Sequence, residues 1–539
     1  MLHTPRARRG MVVTPHHLAS QAGLAILREG GNAVEAVVAA AATLCAIYPH
    51  MTGLGGDGFW LIHEPGAPAP VGIDASGRSG AAVTPDLLRT AGHTHQIPRR
   101  GPLAAITVAG AVSGWAAALD HARAWGPTLP LPRLLEEAQW HARHGFAVTA
   151  GHHALVRDNM EVLAAQPGFA AQFLPDGTCP PEGSTLRLPA LADTLHTLGI
   201  RGLDDFYRGR IAAAMAADLA RAGSPLTAAD LADHRASLVT PLSLRLEQGQ
   251  VFNLPPPSQG VASLCILGIF ERLRAAGAAI EPETFAHLHA IVEATKRAFR
   301  MRDGLVGDPD HAPYPAPGSA TDPLLPDRLD GLARDVDMAL ALPWPAPPSG
   351  GDTVWLGAVD AQGRAVSCIQ SIYFEFGSGV VLPRTGITWQ NRGCGFSIHA
   401  DSPAALAPRR KPFHTLNPAM ALLADGRVMP YGTMGGEGQP QTQAAVFTRH
   451  VVFGQPLQQA VSAPRWLLGR TWGDDAVHLR LEGRIAPDVA DGLRAAGHPV
   501  RMVGDYDPVM GHAGAIVRHP DGTLEGAVDP RGDGCVAAW

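Results

Sequence analysis

Side chains alternate along residues 353–372 in a way that predicts two neighbouring β-strands. Two sets of mainly apolar side chains alternate from Thr353, a turn of sequence Asp-Ala-Gln-Gly fills 360–363, and a second β-rich run covers 365–372. The preceding segment, 342–348, is rich in proline, which removes a backbone donor and fixes φ. The pattern therefore predicts an irregular loop that ends at Thr353, where a β-hairpin begins.

Helical spacing dominates the chain before this hairpin, and short strands dominate after it. Asn32 follows two glycines and suits an N-cap, and Thr227 suits another. Residues 308–350 are rich in Pro and Asp and predict a flexible segment. The alternation of helix and strand signals along the chain indicates an α+β protein. The predicted helices cover 16–29, 32–47, 130–145, 190–198, 211–222, 227–234, 285–303, 439–452 and 456–463.

Composition excludes several classes of protein. The chain has 539 residues, of which 46% are hydrophobic and 17% charged, as in an ordinary globular protein. A net charge of −6 without a basic cluster argues against nucleic acid as a partner. The six cysteines are scattered without a CxxC pair, which favours a reducing compartment over a disulfide scaffold.

The first residues also bear on the compartment. Residues 1–10 carry three arginines and no apolar run of the kind that a secretory signal needs. No stretch of about 18 apolar residues is present for a membrane span. We therefore expect a cytoplasmic protein that does not bind membranes.

Thr353 is a candidate N-terminal nucleophile. If the Asp352–Thr353 bond is cut, Thr353 gains a free α-amine beside its own hydroxyl, and that amine can act as the general base. Ser371, near the end of the second run, offers another hydroxyl. Taken alone, a threonine at a strand start is common, so the hairpin leaves both interpretations open.

Several motifs in order resemble the gamma-glutamyltransferase family, whose members are self-cleaving N-terminal-nucleophile hydrolases. The nucleophile segment carries the resemblance at Thr353, Asp360 and 376–379. The resemblance implies a four-layer αββα sandwich, cleaved into a large fragment, 1–352, and a small fragment, 353–539. These fragments would form one intertwined heterodimer, which could dimerise again. Further matching blocks lie at 30–36, 53–59, 255–260, 293–298, 307–309, 435–436 and 529–534.

The resemblance also implies roles for individual residues. Gly435 and Gly436 match the family's oxyanion pair, where glycine lets backbone N–H groups approach the developing charge. Ser371 stands where the family has a second threonine. Tyr373 stands where transpeptidases often carry Asn, and its larger ring would narrow the acyl pocket.

Departures from the family pattern concern the substrate. The acidic residue that meets a glutamate ammonium has become Gly395, and Arg392 stands where a neutral polar residue is usual. His414 and Thr415 replace the two serines that hold the substrate carboxylate, and Arg78 is a candidate substitute for an early family arginine. An arginine without an acid favours a carboxylate over an ammonium. We therefore expect an acyl group with a carboxylate and no α-amine.

Three functional hypotheses follow. The first is hydrolysis of a small acidic amide. Oxamate and glutaryl amides both fit, the narrow pocket favours oxamate, and the pattern is similar to the family's oxamate amidohydrolases. The second is a gamma-glutamyl hydrolase or transpeptidase, or a glutaryl-cephalosporin acylase. The third is a non-catalytic binding relative, which intact Thr353, Ser371 and 435–436 argue against. Histidine pairs such as 287 and 289 lack metal-site spacing, so we expect no metal and no cofactor.

Overall fold

The structure is a computed structural model that describes residues 3–344, 352–469 and 477–539. Within these ranges, two seven-stranded sheets lie face to face, and helices cover the outer face of each. The strands are β1 (Arg6–Ala7), β2 (Met11–Thr14), β3 (Asp57–His63), β4 (Val71–Ala75), β5 (Phe146–Ala147), β6 (Thr185–Leu186), β7 (Ser237–Val239), β8 (Leu242–Leu246), β9 (Gly249–Asn253), β10 (Asp352–Val359), β11 (Ala365–Tyr373), β12 (Val381–Leu382), β13 (Ile387–Thr388), β14 (Ala419–Leu423), β15 (Val428–Thr433), β16 (Trp466–Leu468), β17 (Leu479–Glu482), β18 (Val500–Val503), β19 (Ala513–Arg518), β20 (Leu524–Val528) and β21 (Cys535–Ala538).

Helices make up the two outer layers and the connections between strands. In chain order they are α1 (His17–Arg28), α2 (Ala33–Ile47), α3 (Pro85–Thr90), α4 (Ala111–Ala122), α5 (Leu131–Leu134), α6 (Glu136–His144), α7 (Ala150–Ala164), α8 (Phe169–Phe173), α9 (Pro189–Arg201), α10 (Asp205–Arg208), α11 (Arg210–Ala222), α12 (Ala228–Asp233), α13 (Gly260–Ala275), α14 (Phe285–Asp303), α15 (Pro326–Arg334), α16 (Gly438–Phe447), α17 (Leu457–Ser462) and α18 (Pro487–Ala495).

Both large sheets are antiparallel throughout. Sheet 1 has the order β1-β20-β19-β15-β14-β9-β8, and sheet 2 has the order β21-β2-β10-β11-β3-β4-β7. The predicted hairpin β10–β11 therefore lies inside sheet 2, paired on one side with β2 and on the other with β3. Strands from both sides of the predicted cleavage bond are interleaved in one sheet.

Three apolar cores hold the layers together. Phe59, Trp355 and Met420 belong to the core between the two sheets. A second core lies between sheet 2 and helices that include α2, every residue of which is buried. A third lies between sheet 1 and the helices α13, α14 and α16. The result is a four-layer αββα sandwich of class α+β, as predicted.

Two predicted N-caps are present. Asn32 accepts hydrogen bonds at the start of α2 and forms a capping box with Glu35. Thr227 caps α12 in the same way, with Asp230 as its partner. Both residues satisfy backbone donors that the first helical turn leaves unpaired.

Some predicted boundaries are wrong. The helix predicted over 130–145 is broken at Leu135 into α5 and α6, and the one over 439–452 ends as α16 at Phe447 before a π-helical turn. The flexible segment predicted over 308–350 contains α15. Pro326 starts that helix because proline is compatible with a first turn, and Leu329 is buried. Residues 345–350 lie outside the described residues. Across the described ranges, no helix has the length and apolar character needed to cross a membrane.

Candidate active site

Thr353 lies at the start of β10, inside sheet 2. The register of the β10–β11 pair shifts between Asp352 and Val354. A shift of this kind bends a strand locally and re-aims a side chain. Thr353 is completely buried, and its Oγ1 accepts a hydrogen bond from Gln439 Nε2 at 3.3 Å. Residues 349–351 and the side chain of Asp352 lie outside the described residues.

Ser371 and Tyr373 lie at the end of β11, the strand that pairs with β10. The Ser371 hydroxyl accepts a hydrogen bond from the Tyr373 N–H at 2.8 Å. Tyr373 has φ of +83°, a left-handed conformation that costs a non-glycine residue about 1–3 kcal/mol. Its buried ring stacks on that of Phe374 with centroids 4.6 Å apart. The fold thus maintains a strained backbone that holds this ring in the site.

Gly435 and Gly436 form the turn between β15 and α16. Their φ values are +120° and +50°, which glycine adopts without a Cβ penalty. The Gly435 carbonyl accepts from the Gly438 N–H at 2.7 Å. Within the described residues, neither the Gly435 nor the Gly436 N–H donates a hydrogen bond. The oxyanion role of Gly435 and Gly436 stays a prediction.

A buried network that the sequence did not predict fixes this turn. Gln259 Nε2 donates to the carbonyls of Gly436 and Thr415, at 2.9 and 2.8 Å. Arg302 donates to Gln259 Oε1 at 2.8 Å and to Glu437 Oε1 at 3.0 Å. Both Gln259 and Arg302 are completely buried. Their side chains link the predicted oxyanion turn to the segment that carries Thr415.

Arg392 is completely buried and lies beside Tyr373. Its guanidinium carbon is 3.6 Å from the centroid of the Tyr373 ring, and its Nη1 donates to Thr415 Oγ1 at 3.3 Å. Among the described residues, Nε and Nη2 have no hydrogen-bond partner, and no carboxylate lies within 4.0 Å of the guanidinium. Burial lowers the pKa of Arg392 to about 10, which leaves it charged at neutral pH.

Asp57 and His414 form a buried pair near this arginine. His414 Nε2 lies 3.0 Å from Asp57 Oδ2. Asp57 Oδ1 accepts from the Gly77 and Gly110 N–H groups at 3.1 and 3.0 Å, and from Gln390 Nε2 at 3.1 Å. Both oxygens of this carboxylate are therefore already hydrogen-bonded.

The protonation of the pair follows from burial. Burial lowers the pKa of His414 well below its usual value, and the positive charges of Arg392 and Lys411 lower it further. The imidazole is therefore neutral, and its Nε2 faces Asp57 Oδ2, a carboxyl whose own pKa is raised by burial to about 7. Nδ1 of His414 is buried without a partner. Asp57 lies in one of the blocks that match the family, but its pairing with His414 spans 357 positions and leaves no local signal in the sequence.

Arg78 is in a different environment. It forms ion pairs with Asp308 at 2.9 Å and Asp310 at 2.5 Å, and its side chain is 35% exposed. It lines a cavity of about 500 Å³ whose lining includes neither Thr353 nor Arg392. The structure thus brings Arg392, Tyr373, His414 and Thr415 together and gives Arg78 other partners. Its role in substrate binding stays a prediction.

One group of side chains has the composition of a metal site. His289, Glu293 and His498 present ligand atoms within 4.8 Å of one another, the one such group among the described residues. Lys296 Nζ is 2.7 Å from Glu293 Oε1, so an ammonium already neutralises this carboxylate. The expected absence of a metal or cofactor stays a prediction.

Comparison with known proteins identifies the class. A model of the family described as gamma-glutamyltranspeptidase matches residues 19–539. The chain belongs to this family, and it is an amidohydrolase with the fold of the N-terminal-nucleophile hydrolases. The hypothesis of a non-catalytic binding protein is therefore wrong.

Individual relatives narrow the comparison. The oxamate amidohydrolase proenzyme of Klebsiella pneumoniae is 54% identical over 531 residues, which is 98% of each chain. A glutathione hydrolase-like proenzyme of Bacillus subtilis is 43% identical, over 97% of each. The crystal structure of cephalosporin acylase from Bacillus halodurans superposes with a TM-score of 0.89 at 33% identity, covering 100% of this chain and 97% of that one.

Proposed function

We propose that the chain is a self-processing amidohydrolase with Thr353 as nucleophile and a small amide such as oxamate as substrate. The acyl part of such a substrate carries a carboxylate and no α-amine. The observation that carries this proposal is the buried Arg392, which has no carboxylate of the described residues within 4.0 Å. A buried charge without an ion-pair partner costs several kcal/mol, so an anionic ligand is favoured here.

The geometry of the arginine supports a carboxylate in particular. Nε and Nη2, the two unpartnered donors of Arg392, belong to the same edge of the planar guanidinium. Two parallel N–H groups match the two oxygens of a carboxylate in a bidentate pair. The Tyr373 ring covers one face of the guanidinium at 3.6 Å. The ring leaves less room for a ligand at the Nε–Nη2 edge and so favours a small acyl group.

Among the described residues, a glutamate-type ammonium finds no carboxylate near Arg392 that is not already hydrogen-bonded. Asp57 is the nearby carboxylate, but its oxygens already accept from two backbone N–H groups, Gln390 and His414. Gly395 stands where the family resemblance implies an acid. Binding an ammonium would therefore bury a second unpaired cation beside Arg392, at a cost of several kcal/mol.

The proposed chemistry assigns each step to one group. The freed α-amine of Thr353 takes the hydroxyl proton while Oγ1 attacks the amide carbonyl. The Gly435 and Gly436 N–H groups stabilise the oxyanion, and Ser371 orients the nucleophile. The C–N bond breaks as the proton passes to the leaving nitrogen, which departs from oxamate as ammonia. Water then hydrolyses the ester and releases oxalate.

Self-processing would use the same hydroxyl. Thr353 Oγ1 attacks the Asp352 carbonyl, the peptide C–N bond breaks as the new α-amine takes the proton, and water hydrolyses the resulting ester. The products are residues 1–352 and 353–539, which remain one intertwined domain because β10 and β11 pair with β2 and β3. The proenzyme names of the relatives support this step.

Release of ammonia and oxalate from oxamate tests the proposal. We expect purified wild-type protein, cut into two fragments, to release both products in equal amounts. Thr353→Ala should stay uncut and release neither. Ammonia release by the uncut Thr353→Ala protein at the wild-type rate would exclude Thr353 as nucleophile. A cut enzyme that does not hydrolyse oxamate but does hydrolyse a glutaryl or gamma-glutamyl amide would favour a glutaryl acylase or a gamma-glutamyl hydrolase instead.

A further inference from the structure

One face of α14 carries charged side chains whose partners lie on residues 335–344, which we call the arm. The arm follows α15 and leads towards β10. Ring contact between Phe299 and Trp344, with centroids 6.2 Å apart, adds an apolar contribution. Nothing in the proposed chemistry uses these side chains, although Glu293 and Lys296 belong to a block that matches the family.

Glu293 is the centre of the contact. Glu293 is completely buried, and Lys296 is only 1% exposed. Its carboxylate accepts from Lys296 Nζ at 2.7 Å, from Arg297 Nη1 at 2.8 Å and from the backbone N–H of Leu342 at 3.2 Å. A buried carboxylate with three donors is costly to disturb, because losing one leaves charge poorly compensated.

Cationic and imidazole groups on the same helix bind the carbonyls of the arm. Lys296 Nζ donates to the Leu342 carbonyl at 2.7 Å, and Arg300 Nη2 donates to the Pro343 carbonyl at 3.0 Å. His289 Nε2 lies 2.8 Å from the Asp337 carbonyl oxygen. The contacts are made to the backbone, so they fix the path of the chain.

The arm also contacts the predicted small fragment. The Ala341 N–H donates to the Ala496 carbonyl at 2.7 Å. His289 Nδ1 lies 2.9 Å from His498 Nε2, which joins α14 to the segment after α18. The arm is therefore held between α14 and a part of the chain that lies beyond the cleavage bond.

We propose that Glu293 and Lys296 are positioning residues for self-cleavage, which fix the arm at Leu342 and so present the Asp352–Thr353 bond to the Thr353 hydroxyl. The inference rests on the proposed self-processing function. Releasing the arm moves a point of attachment of the chain from Leu342 back to the end of α15, which by loop-closure entropy alone slows cleavage about twofold. Loss of the direction that the buried contacts impose adds to this, so we expect a reduction of about threefold to tenfold.

The experiment changes the arm and not the core. Leu342→Pro removes the backbone N–H that donates to Glu293. Leu342→Ala is the matched control, because it keeps that N–H. Each protein is made by cell-free synthesis, synthesis is stopped, and the conversion of full-length chain into fragments is followed on gels. We expect about threefold to tenfold slower cleavage for Leu342→Pro and a wild-type rate for Leu342→Ala.

Once cut, both variants should hydrolyse oxamate with kcat/KM within about twofold of wild type, which a general loss of folding would not allow. Should Leu342→Pro fail to fold, Lys296→Met with the same readout decides, since it removes the contact to the Leu342 carbonyl. A wild-type cleavage rate in the deciding variant overturns the proposal. A wild-type protein that never cuts refutes self-processing itself, and this inference with it.

Discussion

Replacing Arg392 by methionine tests the substrate anchor. The substitution keeps an apolar stem against Tyr373 and removes the charge and both unpartnered donors. At a separation of about 4 Å and an effective dielectric of about 20, one ion pair is worth roughly 4 kcal/mol before desolvation. Desolvation leaves about 2–3 kcal/mol, because the arginine is already buried and mainly the ligand loses water. We therefore expect kcat/KM for oxamate to fall about 30–150-fold.

The assay compares kcat/KM for oxamate in Arg392→Met, Arg392→Lys and Arg78→Met, with self-cleavage checked on gels. Arg392→Lys should retain part of the activity, because lysine keeps the charge but not the bidentate edge. Self-cleavage should proceed normally in Arg392→Met, since it needs no bound carboxylate. Unchanged kcat/KM in fully cut Arg392→Met would refute the anchor. A fall in kcat/KM for oxamate in Arg78→Met alone would assign the role of carboxylate anchor to Arg78.

Three further predictions concern the nucleophile, the oxyanion turn and acid stability. Thr353→Ala should remain a single chain by intact mass and be inactive, because one hydroxyl serves cleavage and turnover. Gly435→Ala should lower kcat about 100-fold or more with little change in KM, because a φ of +120° excludes a Cβ and the N–H must move; an unchanged kcat would place the oxyanion elsewhere. Burial lowers the pKa of His152 to about 3, so between about pH 6.5 and 3 the unfolded chain binds a proton that the folded chain does not, and stability falls as pH falls. Chemical denaturation at pH 7 and pH 5 measures how far the free energy of unfolding falls between these pH values, and this fall should be about 2 kcal/mol smaller in His152→Leu than in wild type. An equal fall in both proteins would contradict the assignment of this pH dependence to His152.

The sequence predicted the elements that carry strong local signals. The hairpin β10–β11 follows from alternation and a four-residue turn, and α2 follows from helical spacing after the N-cap Asn32. Helix α15, over 326–334, was not predicted, because Pro and Asp dominate the surrounding sequence. One proline at the first helical position and the burial of Leu329 are enough to form a helix there.

The candidate site was predictable only in part. Thr353, Gly435 and Arg392 lie in motifs, and each departure from a motif is visible in the sequence. The sequence does not show whether Arg392 has an ion-pair partner, because that depends on which carboxylates come near it in space. Asp57 was missed for the same reason: its four donors come from segments far apart in the chain.

A comparison of three substrates tests the proposed specificity most directly. The processed wild-type enzyme is assayed for kcat/KM with oxamate, a glutaryl anilide and a gamma-glutamyl anilide under one set of conditions. Three features predict the highest kcat/KM for oxamate and the lowest for the gamma-glutamyl compound. They are an Arg392 without an ion-pair partner among the described residues, an Asp57 whose two oxygens are already hydrogen-bonded, and the covering Tyr373 ring. Preference for the gamma-glutamyl anilide would contradict the proposal, because it would require an ammonium to bind beside Arg392.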